Sequence, residues 1–289
     1  MVGQQKPNGY IYENQHIPTN RAVLHNLFYP LYQRNAVLAI AGLSQLLIAI
    51  ILLPLFFLDS REVLGINVWI KPIKFFLSAT IYLWTLAILL AHFKWRYSRS
   101  VGFLSWTFVL TMVVENGAIA FQASRGVQSH FNESSLFDGV IFGVMGLFIM
   151  INTIAVIYAA LLFFRSSFSL PTAYIWGIRL GFVLFILGSA IGGAMIGAKS
   201  HNIGVATGEA GLPFVNWSVL GGDLRIAHFL GLHALQIIPL AGYVLSQSKP
   251  AKSGWATAGV VVIALVYSLI VNGLYQQAMS GQSVVSLMP

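Results

Sequence analysis

The stretch that decides the fold is AVLAIAGLSQLLIAIILLPLFFL, residues 36–58, which contains no charged side chain. A helix of about 20 apolar residues crosses the roughly 30 Å hydrocarbon core of a bilayer, because each residue adds about 1.5 Å. Apolar runs of similar length recur to the end of the chain. The sequence therefore predicts an all-α bundle of seven transmembrane helices, at 36–58, 70–92, 102–124, 137–164, 173–197, 224–247 and 255–278.

The composition agrees with a membrane protein. Of the 289 residues, 57% are hydrophobic and 8% are charged, whereas about a quarter of a soluble domain is charged. The chain has no cysteine, which excludes disulfides, iron–sulfur clusters and thiolate-ligated haem. Haem or a metal held by histidine or carboxylate stays open. The N-terminal 35 residues are polar, and no small-residue cleavage site follows the first apolar run, so we expect no signal peptide.

The basic residues sort by loop. Ten lysines and arginines fall on the side of the N-terminal tail and six on the other side, helix ends included. The positive-inside rule then predicts a multi-pass protein of the cell inner membrane, with a cytoplasmic N-terminus and an external C-terminus. The formal net charge of +8 therefore belongs to the inner side, where it faces lipid headgroups. We expect no nucleic-acid partner.

Two regions are predicted, a cytoplasmic tail at 1–35 and a seven-helix transmembrane domain at 36–289. Within the tail, RAVLHNLFYPLYQR (21–34) mixes aromatic residues with terminal arginines. This pattern is typical of an interfacial helix, although a partly ordered tail fits equally well.

An internal repeat is predicted from two pairs of segments. IKPIKFFLSA (70–79) resembles LRIAHFLGLHA (224–234), and NGAIAFQASRG (116–126) resembles NGLYQQAMSG (272–281). The pairs share order, orientation and spacing, which predicts a parallel 3+1+3 arrangement: repeat A at about 36–124, a linker helix at 137–164 and repeat B at about 173–281. The alternative is that apolar segments resemble each other by composition alone. Small residues at four-residue spacing also predict close helix packing at Gly139/Gly143, Gly188/Gly192 and Gly193/Gly197.

Polar side chains form stripes on three predicted helices. Ionisable groups at membrane depth are expensive and are functional hypotheses by default. Placed against one another, the stripes predict an outward-facing basic and polar cavity. The solute-binding candidates are Lys71, Lys74, Arg125, Arg225, His228 and Gln236, and the proton-coupling candidates are Glu115 and His233. The leading hypothesis is a transporter-like or solute-binding protein for a small anionic solute with proton coupling. Snorkelling of Lys71 and Lys74 to the headgroups, and a structural ion pair of Glu115 with Lys74 or Arg225, are the alternatives.

A second hypothesis is a membrane enzyme or redox protein that holds haem or a metal through histidines near the outer side. Its candidate ligands are His130, His201, His228 and His233. His228 and His233 are about 140° apart around a helix, so the two cannot chelate one ion as an i,i+4 pair does. A third hypothesis is a non-catalytic subunit or assembly factor of a membrane complex. The expected partners are the bilayer and a small solute, with a homo-oligomer or larger complex left open.

Two predicted outer loops carry further signals. In the loop at 123–138, Ser134 or Ser135 is a candidate helix cap, with Asp138 in the positive first turn. The loop at 198–223 has the length of a lid, and a flexible connector fits it equally well. Triad, phosphate-loop and dinucleotide motifs are missing from the sequence, so whether the protein is an enzyme stays open.

Overall fold

The computed structural model describes residues 28–93, 95–208, 211–247 and 254–287. These residues contain seven helices long and apolar enough to cross a membrane, so the protein is an integral, multi-pass membrane protein. The predicted spans are confirmed, with every boundary within four residues. The helices are α1 Ala36–Leu58, α2 Ile70–Leu90, α3 Ser98–Ser124, α4 Leu136–Arg165, α5 Thr172–Ala198, α6 Leu224–Gln247 and α7 Gly254–Met279. Short 3₁₀ helices lie at Trp95–Tyr97 and Val284–Leu287.

Two of the helices begin with a capping side chain. Asn35 accepts a hydrogen bond from the backbone nitrogen of Leu38 at the start of α1 (3.1 Å). Ser135 caps α4 by accepting from the backbone nitrogen of Asp138 (3.1 Å), as predicted. A side-chain oxygen at this position satisfies one of the backbone donors that the first helical turn leaves free.

Two short antiparallel hairpins lie at one end of the bundle, here named the hairpin end. Between α1 and α2, β1 (Glu62–Val63) pairs with β2 (Ile66–Asn67), and between α5 and α6, β3 (Asn202–Ile203) pairs with β4 (Gly222–Asp223). Both residues of the first turn have positive φ, 54° at Leu64 and 74° at Gly65, which is the geometry of a two-residue type I′ turn. The other end of the bundle, where α1 begins, is named the N-terminal end.

The helices pack in two groups of three. Helices α1, α2 and α3 contact one another, as do α5, α6 and α7, while α4 contacts α3 and α5. A large apolar core joins α2, α3, α4 and α5, and its fully buried side chains include Leu86, Phe108, Phe163 and Phe182. These residues lie toward the N-terminal end, so apolar side chains fill that half of the bundle interior. Three consecutive antiparallel helices pack together in many folds, so the repeat itself stays a prediction.

The glycine prediction is confirmed for one pair. A Cβ on Gly188 would lie 2.6 Å from the carbonyl carbon of Gly231 on α6, and one on Gly192 would lie 2.8 Å from the ring of His228. An added Cβ at Gly139, Gly143, Gly193 or Gly197 would meet no atom within 4 Å. The prediction of close packing is therefore wrong within one chain for those four glycines, because they face outward.

The described part of the N-terminal tail is helical at residues 28–34. Phe28 and Tyr32 are in ring contact there, with centroids 6.3 Å apart. The remainder of the predicted tail and interfacial helix, residues 1–27, lies outside the described residues, as do residues 209–210 in the long loop between α5 and α6.

Candidate functional site

A lysine, a histidine and a glutamate from three segments meet near the hairpin end, and we name them the Lys–His–Glu array. Lys71 comes from the first turn of α2, Glu115 from α3, and His130 from the loop between α3 and α4. Lys71 Nζ lies 3.1 Å from His130 Nδ1, and His130 Nε2 lies 3.4 Å from Glu115 Oε1. The imidazole therefore bridges an ammonium group and a buried carboxylate.

The neighbours of His130 determine where its proton resides. Lys71 Nζ and Ser129 Oγ both lie 3.1 Å from Nδ1, and an ammonium group can only donate. Nδ1 is therefore the acceptor, and the Nε2–H donates toward Glu115. Burial, reinforced by the charge of Lys71, lowers the pKa of His130 below its usual 6.5. The ring is neutral at pH 7 and has one accepting and one donating nitrogen, the arrangement of a proton relay.

The carboxylate of the array has unused hydrogen-bonding capacity. Glu115 is buried, and its Oε2 has no hydrogen-bond partner among the residues that the structure describes. A buried polar atom without a partner is uncommon in native proteins and calls for an explanation such as a ligand, a proton or a water molecule. The sequence offered Lys74 or Arg225 as ion-pair partners for Glu115, whereas the structure places His130 against it.

Both predicted arginines are neutralised by carboxylates close by. Arg125 contacts Asp138 at 2.5 Å, and Asp138 also accepts from Gln122 at 2.9 Å. Arg225 contacts Asp223 through Nε at 2.9 Å and also through Nη2. Because each charge is compensated at contact distance, neither arginine adds much net positive potential for a free anion.

Lys74 has a different environment. Its Nζ donates to the carbonyl oxygens of Phe214 (2.6 Å) and Val215 (3.4 Å), and Arg225 donates to the neighbouring carbonyl of Asn216. Carbonyl groups carry no net charge. Lys74 is therefore a cation with no carboxylate partner in the described part of the chain, and it contacts protein groups, which snorkelling does not predict.

The long loop between α5 and α6 packs onto the first group of helices. Besides the contacts to Lys74, Asn216 donates from its side chain to the carbonyl of Leu64 in the β1–β2 turn (3.1 Å). Phe214 and Asn216 both have positive φ, 60° and 56°, a conformation that non-glycine residues adopt at a cost. The described parts of this loop thus lie across the hairpin ends of α2 and α6.

The predicted metal-binding histidines are held in different environments. His201 lies at 6.3 Å from the ring of Phe131, and burial together with the charge of Arg225 lowers its pKa to about 4. His228 Nδ1 lies 2.8 Å from the carbonyl of Gly188. His233 packs against Phe229 at 4.3 Å between ring centroids. Across residues 28–93, 95–208, 211–247 and 254–287, no three His, Asp or Glu side chains could share a metal ion. Haem, which needs only two imidazoles, stays a prediction.

Further polar contacts lie deeper in the membrane. Tyr82 on α2 and Thr111 on α3 both donate to Asn152 Oδ1 on α4, at 3.2 and 3.1 Å. Gln236 on α6 donates to Thr85 on α2 at 3.2 Å, and its Oε1 is buried without a partner among the described residues. This bond directly joins the two groups of helices.

A cavity of about 490 Å³ opens at the hairpin end beside the array. Its lining includes Glu62, Gln128, Phe131, Asn132 and Glu133, so it follows the loop that carries His130. None of the predicted solute-binding residues lines it. Gln128 and Phe131 of its lining lie close to His130 in sequence, so the cavity adjoins the segment that carries the imidazole of the array.

His130 is the residue whose role the sequence did not reveal. The sequence predicts it only as a metal ligand, because its contact with Glu115 depends on how the 126–135 loop folds. Asp223 is the second omission, and here a signal existed: an acid two residues before Arg225 can accept from both its backbone nitrogen and its guanidinium group, as it does at 3.0 and 2.9 Å.

Comparison of the chain with protein-family models, with curated proteins and with solved structures found no match. The function is therefore inferred from the side chains and charges of this chain alone.

Proposed function

We propose that this protein is a proton-coupled carrier for a small anionic solute, with Glu115 as the proton-accepting group and Lys71 and Lys74 as the cations that attract the solute. The observation that carries this proposal is the Lys–His–Glu array. An imidazole with one accepting and one donating nitrogen connects a buried carboxylate to a lysine near the hairpin end.

The array couples a proton to an anion through charge balance. Lys71 passes a proton to His130 Nδ1 while the Nε2 proton passes to Glu115, and a proton from the hairpin end then restores the Lys71 ammonium group. Glu115 is then neutral, so Lys71 loses the negative charge that balanced it. An anion that binds beside Lys71 and Lys74 replaces that charge, and by linkage the bound anion favours protonation of Glu115 in return.

The packing of the bundle supports a carrier. Two three-helix groups flank α4, and apolar side chains fill the interior toward the N-terminal end. The array lies near the opposite end. This is the arrangement expected of an alternating-access protein that opens at one end, with the proposed 3+1+3 repeat as its two moving bodies. The excess of lysine and arginine on the N-terminal side supports an inner-membrane protein with a cytoplasmic N-terminus.

Thermal unfolding of the purified protein with acetate, benzoate, phosphate or sulfate at pH 6 and pH 8 tests the proposal. We expect at least one anion to raise the unfolding temperature, and to do so more at pH 6, because protonation of Glu115 accompanies binding. Glu115→Gln, which mimics the protonated acid, abolishes the difference between the two pH values. The matched control is Glu133→Gln. Glu133 is an exposed acid at the hairpin end, and this variant should behave as wild type.

A second pair of variants tests the cations. Lys74→Gln removes the cation that has no carboxylate partner. It should lower the affinity for the anion about tenfold or more, which is the typical loss when a hydrogen bond to a charged group is removed. Lys199→Gln removes an exposed lysine paired with Glu133 and should leave anion binding unchanged. If Lys74→Gln and Glu115→Gln both respond to anions as wild type does, the proposed site is wrong.

Four inexpensive measurements address the other hypotheses. A Soret band in the absorption spectrum, or stoichiometric metal in the purified protein, would overturn the carrier in favour of a haem or metal protein ligated by His130, His201, His228 or His233. Co-purification of a defined partner would favour a subunit or assembly factor, and the mass of the detergent-solubilised particle reports a homo-oligomer.

A further inference from the structure

Helices α2 and α6 present matching faces to each other. On α2, Lys74, Ser78 and Thr85 lie within about 40° of one another, because successive residues turn by about 100°. On α6, Arg225, Phe229 and Gln236 have the same spacing, with offsets of 4 and 11 residues from the first member.

One contact sets the level of one helix against the other. Gln236 donates to Thr85 at 3.2 Å, which places these two residues at the same depth. Both helices run from the hairpin end, and both Lys74 and Arg225 precede the contact by 11 residues. Lys74 and Arg225 therefore lie at one level, about 16 Å nearer the hairpin end, where the consecutive carbonyls of residues 214–216 bind them.

Between these two levels the helices separate. Ser78 and Phe229 each lie seven residues before the Thr85–Gln236 contact, so they are at the same depth. Both point in nearly the same direction as the residues that make contact. Yet Ser78 is exposed, Phe229 is 47% exposed, and Ile81 beside Ser78 is also 47% exposed. These exposed side chains outline a gap about 10 Å long between α2 and α6, here named the cleft, at a depth where the bundle faces lipid.

The cleft has an apolar body and a positive end. Its walls carry Ile81 on one side and Phe229, packed against His233, on the other. Trp217 contacts Phe229 at 5.9 Å between ring centroids and extends the apolar wall to the loop. At the hairpin end lies Lys74, whose partners are uncharged carbonyls.

We propose that this cleft binds an amphipathic anion with a single apolar chain, the chain lying between Ser78 and Phe229 and the charged headgroup at Lys74. This inference rests on the proposed function, because it defines the anionic solute of that carrier as one that arrives from the bilayer. Charge and shape agree on this occupant: a small hydrophilic anion would leave the apolar walls unused, and a neutral lipid would leave Lys74 without a counter-charge.

Photolabelling tests the proposal. The protein is reconstituted in phosphatidylcholine nanodiscs with a diazirine-bearing palmitate, irradiated and mapped by mass spectrometry. We expect adducts concentrated on the cleft walls, at Ser78, Ile81 and Phe229, and we expect unlabelled palmitate, but not acetate, to suppress them. The opposite result is a set of adducts on outward-facing residues such as Leu147 and Leu265, in proportion to their exposure and not suppressed by palmitate. That result would show that the probe reports only the surrounding lipid, and it would overturn the cleft.

Matched variants sharpen the test. Ser78→Trp fills the cleft and should reduce labelling of Phe229 about tenfold, the effect of removing about two methylene groups from apolar contact. Leu147→Trp adds the same side chain on the outward face of α4 and should not. Lys74→Gln should also reduce the labelling. It alters only the end of the cleft, so it decides the question if Ser78→Trp does not fold.

The outcomes separate the cleft from the carrier. If palmitate suppresses the adducts and the Glu115→Gln variant keeps the pH response of wild type, the cleft is a binding site for a lipid anion. The carrier proposal is then wrong. Stabilisation by short anions that depends on Lys74, without suppressible adducts, would keep the carrier and remove the cleft.

Discussion

Two local motifs of the same form occur in different surroundings, and their comparison gives a quantitative prediction. In Asp59–Arg61 and in Asp223–Arg225, the acid accepts from the backbone nitrogen and the guanidinium group two residues later. The Asp59 side chain is 20% exposed, whereas that of Asp223 is 1% exposed and also accepts from the backbone nitrogen of Ser218 at 2.8 Å. The same substitution, Asp→Asn, should therefore have different effects at the two sites.

Asp223→Asn leaves the charge of Arg225 without a counter-charge at a site where its side chain is 27% exposed. Breaking a fully buried pair costs about 3–5 kcal/mol, and partial solvation of Arg225 reduces this to about 2–3 kcal/mol. At about 2–4 °C per kcal/mol for a chain of roughly this size, the unfolding temperature should fall by about 4–12 °C. Asp59→Asn should lower it less, because Arg61 is 49% exposed and water screens its charge, and an amide oxygen can still accept from Trp69 Nε1, which lies 2.9 Å from the carboxylate.

The assay is the intrinsic tryptophan fluorescence of both variants and wild type during thermal unfolding, in one detergent and at one scan rate. Equal decreases in unfolding temperature for the two variants would refute the reasoning. Burial would then have no influence on how much the ion pair stabilises the protein. A stable Asp223→Asn variant would show that the carbonyl of Asn216 alone satisfies Arg225.

Three further predictions follow from single residues. Glu115→Gln should remove the pH dependence of anion stabilisation, whereas Glu133→Gln should keep it. The measurement is the unfolding temperature with and without anion at pH 6 and pH 8. An unchanged pH response in Glu115→Gln would contradict the relay. Gly188→Ala should destabilise by about 1–3 kcal/mol through overpacking against α6, whereas the outward-facing Gly193→Ala stays within about 0.5 kcal/mol; similar unfolding temperatures for the two would exclude this contact. Because burial lowers the pKa of His201 from 6.5 to about 4, the unfolded chain binds more protons between these values, and stability falls as pH is lowered through that window. His201→Asn should flatten this part of the unfolding profile against pH, and a slope equal to that of wild type would show that another group titrates.

The sequence predicted the helices well because their cause is local. A run such as residues 36–58 is apolar over the thickness of a bilayer whatever surrounds it, so length and hydropathy suffice. Cap residues are local as well: the sequence predicts Ser134 or Ser135 as the cap of α4, and Ser135 is the cap in the structure.

The site was harder to predict because it depends on rotation and contact between helices. Lipid and protein interior are equally apolar, so hydropathy does not distinguish an inward face from an outward one. Ser78 shows this: it lies one helical turn after Lys74, so the polar stripe of α2 runs through it and predicts an inward-facing residue, whereas it is exposed in the structure. The contact of His130 with Glu115 depends on the fold of a ten-residue loop, and periodicity says nothing about such a loop.

In the proposed carrier, the Lys–His–Glu array also determines how transport responds to membrane voltage. Glu115 takes up one positive charge as a proton, and the site then accepts one negative charge as a monovalent anion. Proton and anion cross together with no net charge. A potential of 100 mV changes the energy of a crossing elementary charge by roughly 2.3 kcal/mol, and it does not change the energy of this neutral pair. Solute flux would follow the pH gradient alone, and a cell whose membrane potential had collapsed would still accumulate the solute.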